Sequence, residues 1–265
     1  MKLIVDCGAT KADWLLEGGT AFRTEGFNLA HTPKATLDAI LDGASARAGS
    51  GITEVHFYAA GLVGESPVDL SLWFPGAEIE YASDMVAAAR AVCGKEPGVA
   101  AIIGTGANTC QWDGDGIVRK VNSGGFIIGD EGSASVLGKL FVTDFLKGCV
   151  PAALAEEFAG RFEAGYGAMV HGVYGTPAPA RYLGGFAPFL LEHYADPYVK
   201  DLVDGNFRRF LERTVLKYDR LPVGVVGGFG YACKGILEGI GKEYGVDFKT
   251  FISSPAEGLR KYHGI

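Results

Sequence analysis

The stretch DCGATK, residues 6–11, closes the first short apolar run of the chain, KLIVDC over residues 2–7. Such a run predicts a buried strand, and the glycine behind it lets the backbone turn sharply and approach a ligand closely. GTGAN at residues 104–108 and GGFG at residues 227–230 follow later apolar runs in the same way. Because ligands of open α/β sheets lie beyond the carboxyl ends of strands, the three loops together predict a ligand site on an α/β fold.

The chemistry of these glycine loops indicates phosphate binding. Backbone N–H groups of a glycine loop can approach phosphate oxygens, and a threonine hydroxyl adds another donor. In the first loop, Asp6 can hold a hydrated Mg²⁺ ion and Lys11 can neutralise phosphate charge. The chain contains neither GxxxxGK followed by Ser or Thr nor GxGxxG, so the Walker and Rossmann solutions do not apply. One glycine loop alone is more often a hairpin turn, whereas three in this order indicate phosphate binding.

Hydrophobic periodicity and turn residues predict the elements between the loops. The predicted strands cover residues 2–7, 11–17, 20–26, 54–59, 78–82, 99–103, 108–113, 117–121 and 223–226. The first predicted helix starts at Thr32, with Pro33 in its first position. The other predicted helices cover residues 85–93, 130–147, 151–163, 198–217 and 228–240, and Ser254 and Pro255 open a short terminal helix. The order of elements before residue 95 resembles the order after residue 98, which predicts two α/β domains of similar plan.

A break in composition, KEPG at residues 95–98, separates the two halves. We therefore expect an N-terminal domain over residues 1–96 and a C-terminal domain over residues 97–253. The terminal helix, residues 254–265, is expected to pack back on the first domain. At roughly 150 residues per domain, a chain of 265 residues is long enough for two modest cores.

Composition excludes several classes of function. The 24 basic and 31 acidic residues give a net charge of −7, which disfavours nucleic acid and anionic membranes as partners. No apolar run approaches 18 residues, and Asp6 stands where a signal peptide would continue apolar, so we expect a cytoplasmic protein. The five cysteines lie far apart without a CxxC pair, which predicts neither disulfides nor a zinc site.

Two further motifs give the pattern a family resemblance. They are Ser83-Asp84, behind a predicted strand, and GDEGS at residues 129–133, behind a glycine pair. With them, the three loops resemble the phosphate-1, phosphate-2 and adenosine motifs of the sugar kinase/Hsp70/actin superfamily. GDEGS is similar to the motif of the N-acetylglucosamine kinase branch, also called the BadF/BadG-type ATPase family.

This resemblance implies a fold and a reaction. The fold is α/β, with two ribonuclease-H-like, or actin-like ATPase, domains and an interdomain cleft that binds ATP and sugar. The reaction is Mg²⁺-dependent transfer of the γ-phosphoryl group of ATP to the 6-hydroxyl of an N-acetylated amino sugar. N-Acetylglucosamine is the first expected substrate and N-acetylmuramic acid the next. The resemblance also implies a homodimer.

The resemblance assigns roles to the residues that match the family motifs. Asp84 falls where the family places its catalytic aspartate. The residues that match sugar-binding positions are Asn28, Asp84, Asn108 and Asp130. The residues that match ATP-binding positions are Gly8, Thr10, Lys11, Thr105, Gly106, Gly227 and Gly228.

The chain departs from the family pattern in two ways. It is short for this branch, and Leu29-Ala30-His31 follows Asn28 where relatives often carry an aromatic residue. The second departure predicts a roomier pocket that can admit the lactyl ether of N-acetylmuramic acid.

Each assigned residue also has a simpler structural interpretation. Asp84 can cap the following helix, and Asp130 and Glu131 can open a helix whose dipole favours acids. Asn28 can serve as a turn residue, and Lys11 as a surface residue of a strand.

Two rival functions remain open on the sequence alone: a non-catalytic sugar or nucleotide sensor, and an ATPase that activates a partner enzyme. An aspartate at position 84 argues against a pure sensor, which needs no proton acceptor. The lack of a glycine-flanked cysteine pair after the second loop argues against the partner-activating ATPases of the wider family.

Overall fold

The computed structural model describes residues 1–8, 11–29, 32–62 and 64–265, which form two compact units. The first unit comprises residues 1–96, 114–116 and 254–265. The second comprises residues 97–113 and 117–253. Within the described part of the chain, no helix is both long enough and apolar enough to cross a membrane.

The described residues contain ten strands and twelve helices. The strands are β1 (Lys2–Cys7), β2 (Lys11–Leu16), β3 (Ala21–Glu25), β4 (Glu54–Ala59), β5 (Glu78–Ser83), β6 (Gly98–Ile103), β7 (Ala107–Trp112), β8 (Ile117–Val121), β9 (Val223–Val226) and β10 (Phe248–Ile252). The helices are α1 (Lys34–Ala48), α2 (Asp84–Val92), α3 (Gly125–Ile128), α4 (Ala134–Leu146), α5 (Ala152–Arg161), α6 (Tyr166–Tyr174), α7 (Pro179–Gly184), α8 (Ala187–Glu192), α9 (Pro197–Arg213), α10 (Gly228–Ala232), α11 (Lys234–Tyr244) and α12 (Ala256–His263). Two 3₁₀ turns, Leu70–Leu72 and Val215–Lys217, complete the set.

The first unit is built on a five-stranded sheet of order β3-β2-β1-β4-β5. Strand β2 is antiparallel to β1 and β3, whereas β4 runs parallel to β1 and β5. Alternate side chains of the central strand face opposite sides of the sheet. Leu3 and Val5 belong to the core that includes Leu37 of α1, whereas Ile4 packs in the cluster that contains Leu259 of α12.

A close approach between two helices holds α12 on this unit. A Cβ atom at Gly258 of α12 would lie 2.5 Å from the carbonyl oxygen of Ala91 in α2. Only a glycine allows the two helices to lie this near each other. Leu259 is fully buried beside Ile4, Tyr58 and Ala87, so residues from both ends of the chain share one core.

The second unit repeats the plan of the first. Its sheet has the order β10-β9-β6-β7-β8, with β7 antiparallel to β6 and β8, and β9 parallel to β6 and β10. Phenylalanines of α4, α5 and α9 fill its core, among them Phe141, Phe158 and Phe207, all fully buried. The predicted α/β class, with two ribonuclease-H-like domains, is confirmed.

The prediction that Asp130 and Glu131 open a helix is wrong. Helix α4 begins at Ala134, and the hydroxyl of Ser133 caps it by accepting a hydrogen bond from the Val136 N–H at 3.2 Å. Asp130 has φ 54° and Gly132 has φ 85°, both left-handed, and such residues cannot continue a right-handed helix. The segment 129–133 is therefore a turn in front of the helix.

Other elements also differ from the sequence prediction. Pro33 occupies the cap position of α1 and not the first helical position. The helix predicted over residues 228–240 is divided into α10 and α11 at Cys233. Four short helices, α3 and α6 to α8, and the edge strand β10 were not predicted, because their sequences show no sustained apolar stripe or alternation.

Candidate active site

Asp6, the next-to-last residue of β1, lies in a concentration of negative charge. Burial, together with the like charges of Asp13 and Asp84, raises the pKa of Asp6 to about 7, whereas Lys11 lowers it. The structure therefore brings the predicted metal residue and the predicted catalytic residue into electrostatic contact within the first unit. A carboxylate in this setting gains from a nearby cation.

Asp84 is the first residue of α2 and directly follows the end of β5. The cap of this helix is Ser83, whose hydroxyl accepts a hydrogen bond from the Val86 N–H at 3.4 Å. The interpretation of Asp84 as the capping residue is therefore wrong. An acid in the first helical turn is nevertheless favoured by the helix dipole, which holds negative charge at this end of the sheet.

The first glycine loop is described only at its two ends. The Gly8 N–H donates to the carbonyl oxygen of Lys11 at 3.0 Å, which closes the loop. Thr10, a predicted ATP residue, lies outside the described residues. Lys11 begins β2, with its ammonium 3.6 Å from the carboxylate of Asp13 and 47% of its side chain exposed. This lysine is thus accessible for a ligand but also neutralises part of the acidic cluster.

Hydrogen bonds on both sides hold the backbone at Asn28 in place. The Phe27 N–H donates to Sγ of Cys7 at 3.4 Å, and the Cys7 thiol lies 3.4 Å from the carbonyl oxygen of Phe27. On the other side, the Asn28 N–H donates to Oγ1 of Thr32 at 2.9 Å, and the Thr32 N–H donates back to the Asn28 carbonyl at 2.8 Å. Asn28 is thereby anchored to the end of β1. Ala30 and His31, in the departure from the family pattern, lie outside the described residues.

The second glycine loop rests on the N-terminal end of α4. The Ala134 N–H donates to the carbonyl of Gly104 at 3.0 Å, and the Ser135 N–H donates to that of Thr105 at 3.1 Å. These are N–H groups that a helix terminus leaves without intrahelical partners. The loop and the helix therefore form one structural element in the second unit.

Asp130 folds back onto this second loop. Its carboxylate accepts hydrogen bonds from the backbone N–H groups of Ala107 and Gly125. A Cβ atom at Gly106 would lie 2.9 Å from Oδ2 of Asp130, so the loop needs a glycine there. Burial, and then the nearby charge of Glu131, raises the pKa of Asp130 to about 6, and these two hydrogen bonds oppose the rise.

Asn108 and Asp130, two of the predicted sugar residues, line the same small cavity. Its volume is about 10 Å³, close to the space of a single water molecule. Oδ1 of Asn108 accepts a hydrogen bond from the Thr109 N–H at 3.0 Å, which fixes the side-chain amide along β7. The second unit thus places the amide and the carboxylate together.

The third glycine loop packs against the end of β6. Gly227 has φ 127°, and a Cβ atom on it would lie 2.4 Å from the carbonyl oxygen of Ile103. Gly228 begins α10 directly behind it. The second loop, the 129–133 turn and the third loop therefore converge at the carboxyl end of β6.

Sequence reasoning missed one polar residue in this region, Asn206 of α9. It is 1% exposed, accepts a hydrogen bond from the Gly132 N–H at 2.9 Å and donates to the Ser133 carbonyl at 3.1 Å. The available signal was its spacing: Val199, Val203 and Phe210 form the buried stripe of α9, and Asn206 lies on it. A polar amide on such a stripe needs partners, here the backbone of the 129–133 turn.

The two sheets have the same strand order, glycine loops follow their strands, and an aspartate follows the last strand of the first sheet. Together these features define an actin-like ATPase fold. A "putative N-acetylglucosamine kinase" from Porphyromonas gingivalis is 37% identical to this chain, covering 99% of this chain and 98% of its own, with a TM-score of 0.91. The chain belongs to the N-acetylglucosamine kinase family of the actin-like ATPase superfamily.

More distant solved structures share the fold alone. A "putative N-acetylglucosamine kinase" from Chromobacterium violaceum is 20% identical, covers 98% of both chains and has a TM-score of 0.74. A ROK family glucokinase from Streptomyces griseus, solved with glucose and AMPPNP, is 14% identical, covers 98% of this chain and 97% of its own, and has a TM-score of 0.58. The chain matches no protein-family model and no curated protein sequence.

Proposed function

We propose that this protein is an ATP-dependent sugar kinase that phosphorylates the 6-hydroxyl of an N-acetylated amino sugar. N-Acetylglucosamine is the first candidate substrate and N-acetylmuramic acid the second. Membership of the N-acetylglucosamine kinase family supports the class of reaction. The observation that carries the proposal is the position of Asp84, at the end of β5, with its charge acting on Asp6 of β1, which lies on the other side of β4 in the same sheet.

In this proposal, Asp84 is the proton acceptor. The oxygen of the sugar 6-hydroxyl attacks the γ-phosphorus, its proton passes to the carboxylate of Asp84, and the bond between phosphorus and the bridging oxygen breaks to release ADP. A carboxylate suits this task because phosphoryl transfer needs a positioned group that takes the proton of the attacking hydroxyl. Asn28, Asn108 and Asp130 bind sugar hydroxyls and orient the acceptor.

The glycine loops bind the nucleotide in this proposal. The residues concerned are Gly8, Thr10 and Lys11 of the first loop, Thr105 and Gly106 of the second, and Gly227 and Gly228 of the third. Backbone N–H groups of these loops contact the phosphates, and Lys11 supplies a positive charge. Gly227 and Gly228 let the backbone lie close to the adenosine.

The residues present fit a magnesium ion held through water. Burial, and then the like charges of Asp13 and Asp84, raise the pKa of Asp6, so a divalent cation there stabilises the ionised carboxylate. Among the described residues, the one close group of three possible metal-binding side chains is His56, Glu80 and His263, which does not include Asp6. Magnesium prefers few carboxylate contacts and keeps most of its water, which a single carboxylate such as Asp6 satisfies. When bound, Mg²⁺ supplies charge neutralisation of the phosphates.

The test of the substrate is a panel of amino sugars incubated with ATP and Mg²⁺. We expect a mass increase of one phosphoryl group on N-acetylglucosamine, and a phosphorus–proton coupling at position 6 by NMR. ADP release in the absence of any sugar would favour the ATPase alternative. Binding of sugar without product would favour the sensor.

The test of Asp84 is Asp84→Asn, which keeps the shape of the side chain but removes the proton acceptor. Loss of a general base lowers kcat by about 10²–10⁴-fold. The matched control is Asp38→Asn, which removes one negative charge from the exposed ion pair with Lys34 on α1. A turnover of Asp84→Asn within about threefold of the parent protein would refute the assignment.

We also propose a homodimer. Sedimentation equilibrium at several concentrations measures this directly, and a mass of 27.9 kDa at all concentrations would contradict it.

A further inference from the structure

The side-chain amide of Asn206 is fully committed to the backbone of the 129–133 turn. Asn206 lies on α9, far along the chain from the turn, and is 1% exposed. Its Oδ1 accepts from the Gly132 N–H at 2.9 Å and its Nδ2 donates to the Ser133 carbonyl at 3.1 Å. Burial of an amide is costly unless it is hydrogen-bonded, so the two bonds fix the turn relative to α9.

Two other residues of the same helix contact the same turn. A Cβ atom on Gly132 would lie 2.7 Å from Cβ of Phe210, so the turn lies directly against that side chain. Arg213 forms an ion pair with Glu131, with Nη1 at 2.5 Å from Oε1. Helix α9 therefore holds three successive residues of the turn.

What this contact fixes is the conformation of Asp130. Asp130 has φ 54°, which is uncommon for a residue other than glycine and costs energy that the surroundings must offset. Asp130 comes directly before residues 131–133, which α9 contacts, and its carboxylate points to the N–H groups of Ala107 and Gly125. If the turn loosens, the backbone of Asp130 can relax and its carboxylate leaves the second loop.

We propose that Asn206 is a positioning residue that holds the Asp130 carboxylate in place for sugar binding. The statement rests on the proposed function only in naming the sugar as the ligand. A merely structural role makes a different prediction, because an Asn206 that only fills the core would affect unfolding and leave the chemistry of Asp130 unchanged. The ionisation of Asp130 and the split between the KM values for sugar and ATP distinguish the two.

The experiment compares Asn206→Leu and Asn206→Asp with the control Asp204→Asn. Leucine keeps the volume and removes both hydrogen bonds, whereas aspartate keeps the acceptor for the Gly132 N–H. Asp204 lies on the same helix and is 4% exposed, but its bonds go to Tyr194 and Lys200. The measurements are unfolding by denaturant, the ¹³C titration of the Asp130 carboxyl group, and KM for N-acetylglucosamine and for ATP.

We expect Asn206→Leu to raise the sugar KM by about 10- to 100-fold, because buried polar groups of the turn lose their partner and the Asp130 carboxylate is displaced, with the ATP KM within threefold of the parent. The pKa of Asp130 should fall from about 6 as solvent reaches the carboxylate; Glu131 and Lys139 are the charged groups that face it. Asn206→Asp keeps the bond to the Gly132 N–H and should raise the sugar KM by less than Asn206→Leu does. Asp204→Asn should lower stability without moving the Asp130 titration.

The proposal is overturned if Asn206→Leu, or Asn206→Asp where the leucine variant does not fold, shows the parental Asp130 titration. It is also overturned if Asp204→Asn shifts that titration equally. If the parent protein phosphorylates no sugar, the proposed function fails, but the ¹³C titration still decides whether Asn206 positions Asp130.

Discussion

Gly106→Ala should weaken sugar binding more than nucleotide binding, since alanine keeps the backbone N–H that the proposed function assigns to phosphate. The added Cβ atom would lie 2.9 Å from Oδ2 and 3.5 Å from Cγ of Asp130. Gly106 does not have a positive φ, so alanine brings no backbone strain and its effect comes from the collision alone. The collision falls on a carboxylate that the proposed function assigns to the sugar.

The size of the effect follows from the distance. Ordinary contact begins near 3.4 Å, so the Asp130 carboxylate must move by about 0.5 Å, the difference between 3.4 Å and 2.9 Å. The carboxylate then weakens its hydrogen bonds to the Ala107 and Gly125 N–H groups and is displaced from the sugar hydroxyls. A hydrogen bond to a charged group contributes about 1.5–3 kcal/mol, which corresponds to about a 10- to 150-fold loss of sugar affinity.

Isothermal titration calorimetry with N-acetylglucosamine and with a non-hydrolysable ATP analogue measures the two affinities separately. The control is Gly235→Ala on α11, where the added methyl group meets nothing within 4 Å. Sugar affinity within threefold of the parent would show that Asp130 does not bind sugar. Equal losses for sugar and nucleotide would show that the contact only shapes the second loop.

Two other substitutions test the environment of Asp6 and the packing of α4. Because the pKa of Asp6 is raised, its protonated carboxyl group stabilises the fold below pH 4, and this stabilisation is lost as the pH rises through about 7. Asp6→Asn should therefore gain up to about 4 kcal/mol in free energy of unfolding over the parent between pH 4 and pH 8, measured with denaturant and without Mg²⁺. A difference between variant and parent that does not change between these pH values would contradict the charge cluster. Gly138→Ala should destabilise the protein by about 3 kcal/mol, since its Cβ would lie 1.9 Å from the Leu183 carbonyl oxygen. Gly43→Ala, in open space on α1, should instead stabilise it by about 0.5–1 kcal/mol, and equal thermal shifts for both variants would refute the packing argument.

The sheets and the loops were predictable because local signals determine them. Short apolar runs such as residues 99–103, ended by glycine, carry the strand and its turn in one stretch of sequence. The position of Asp84 at a strand end follows from the same pattern, since Ser83 closes β5 and caps α2. Where one strand and its neighbouring glycines decide the structure, sequence reasoning succeeds.

The 129–133 turn was not predictable because distant residues determine it. Acids in front of an apolar run are typical of a helix start, and on that signal alone Asp130 belongs to α4. The left-handed conformation of Asp130 depends on Asn206 and Phe210 of α9, whose contacts with the turn no local pattern shows. The short helices α6 to α8 were missed for a related reason, since their apolar residues pack in the core of the second unit without a stripe of their own.

The place of α12 has a consequence for synthesis on the ribosome. Residues 1–96 emerge well before residues 254–265, which complete their unit. At about 5–20 residues per second, the intervening stretch takes roughly 8 to 30 seconds to be made. During that interval the nascent first unit exposes Ile4, Tyr58 and Ala87, the surface that Leu259 covers in the finished protein. The growing chain therefore presents an apolar face to chaperones until α12 is released.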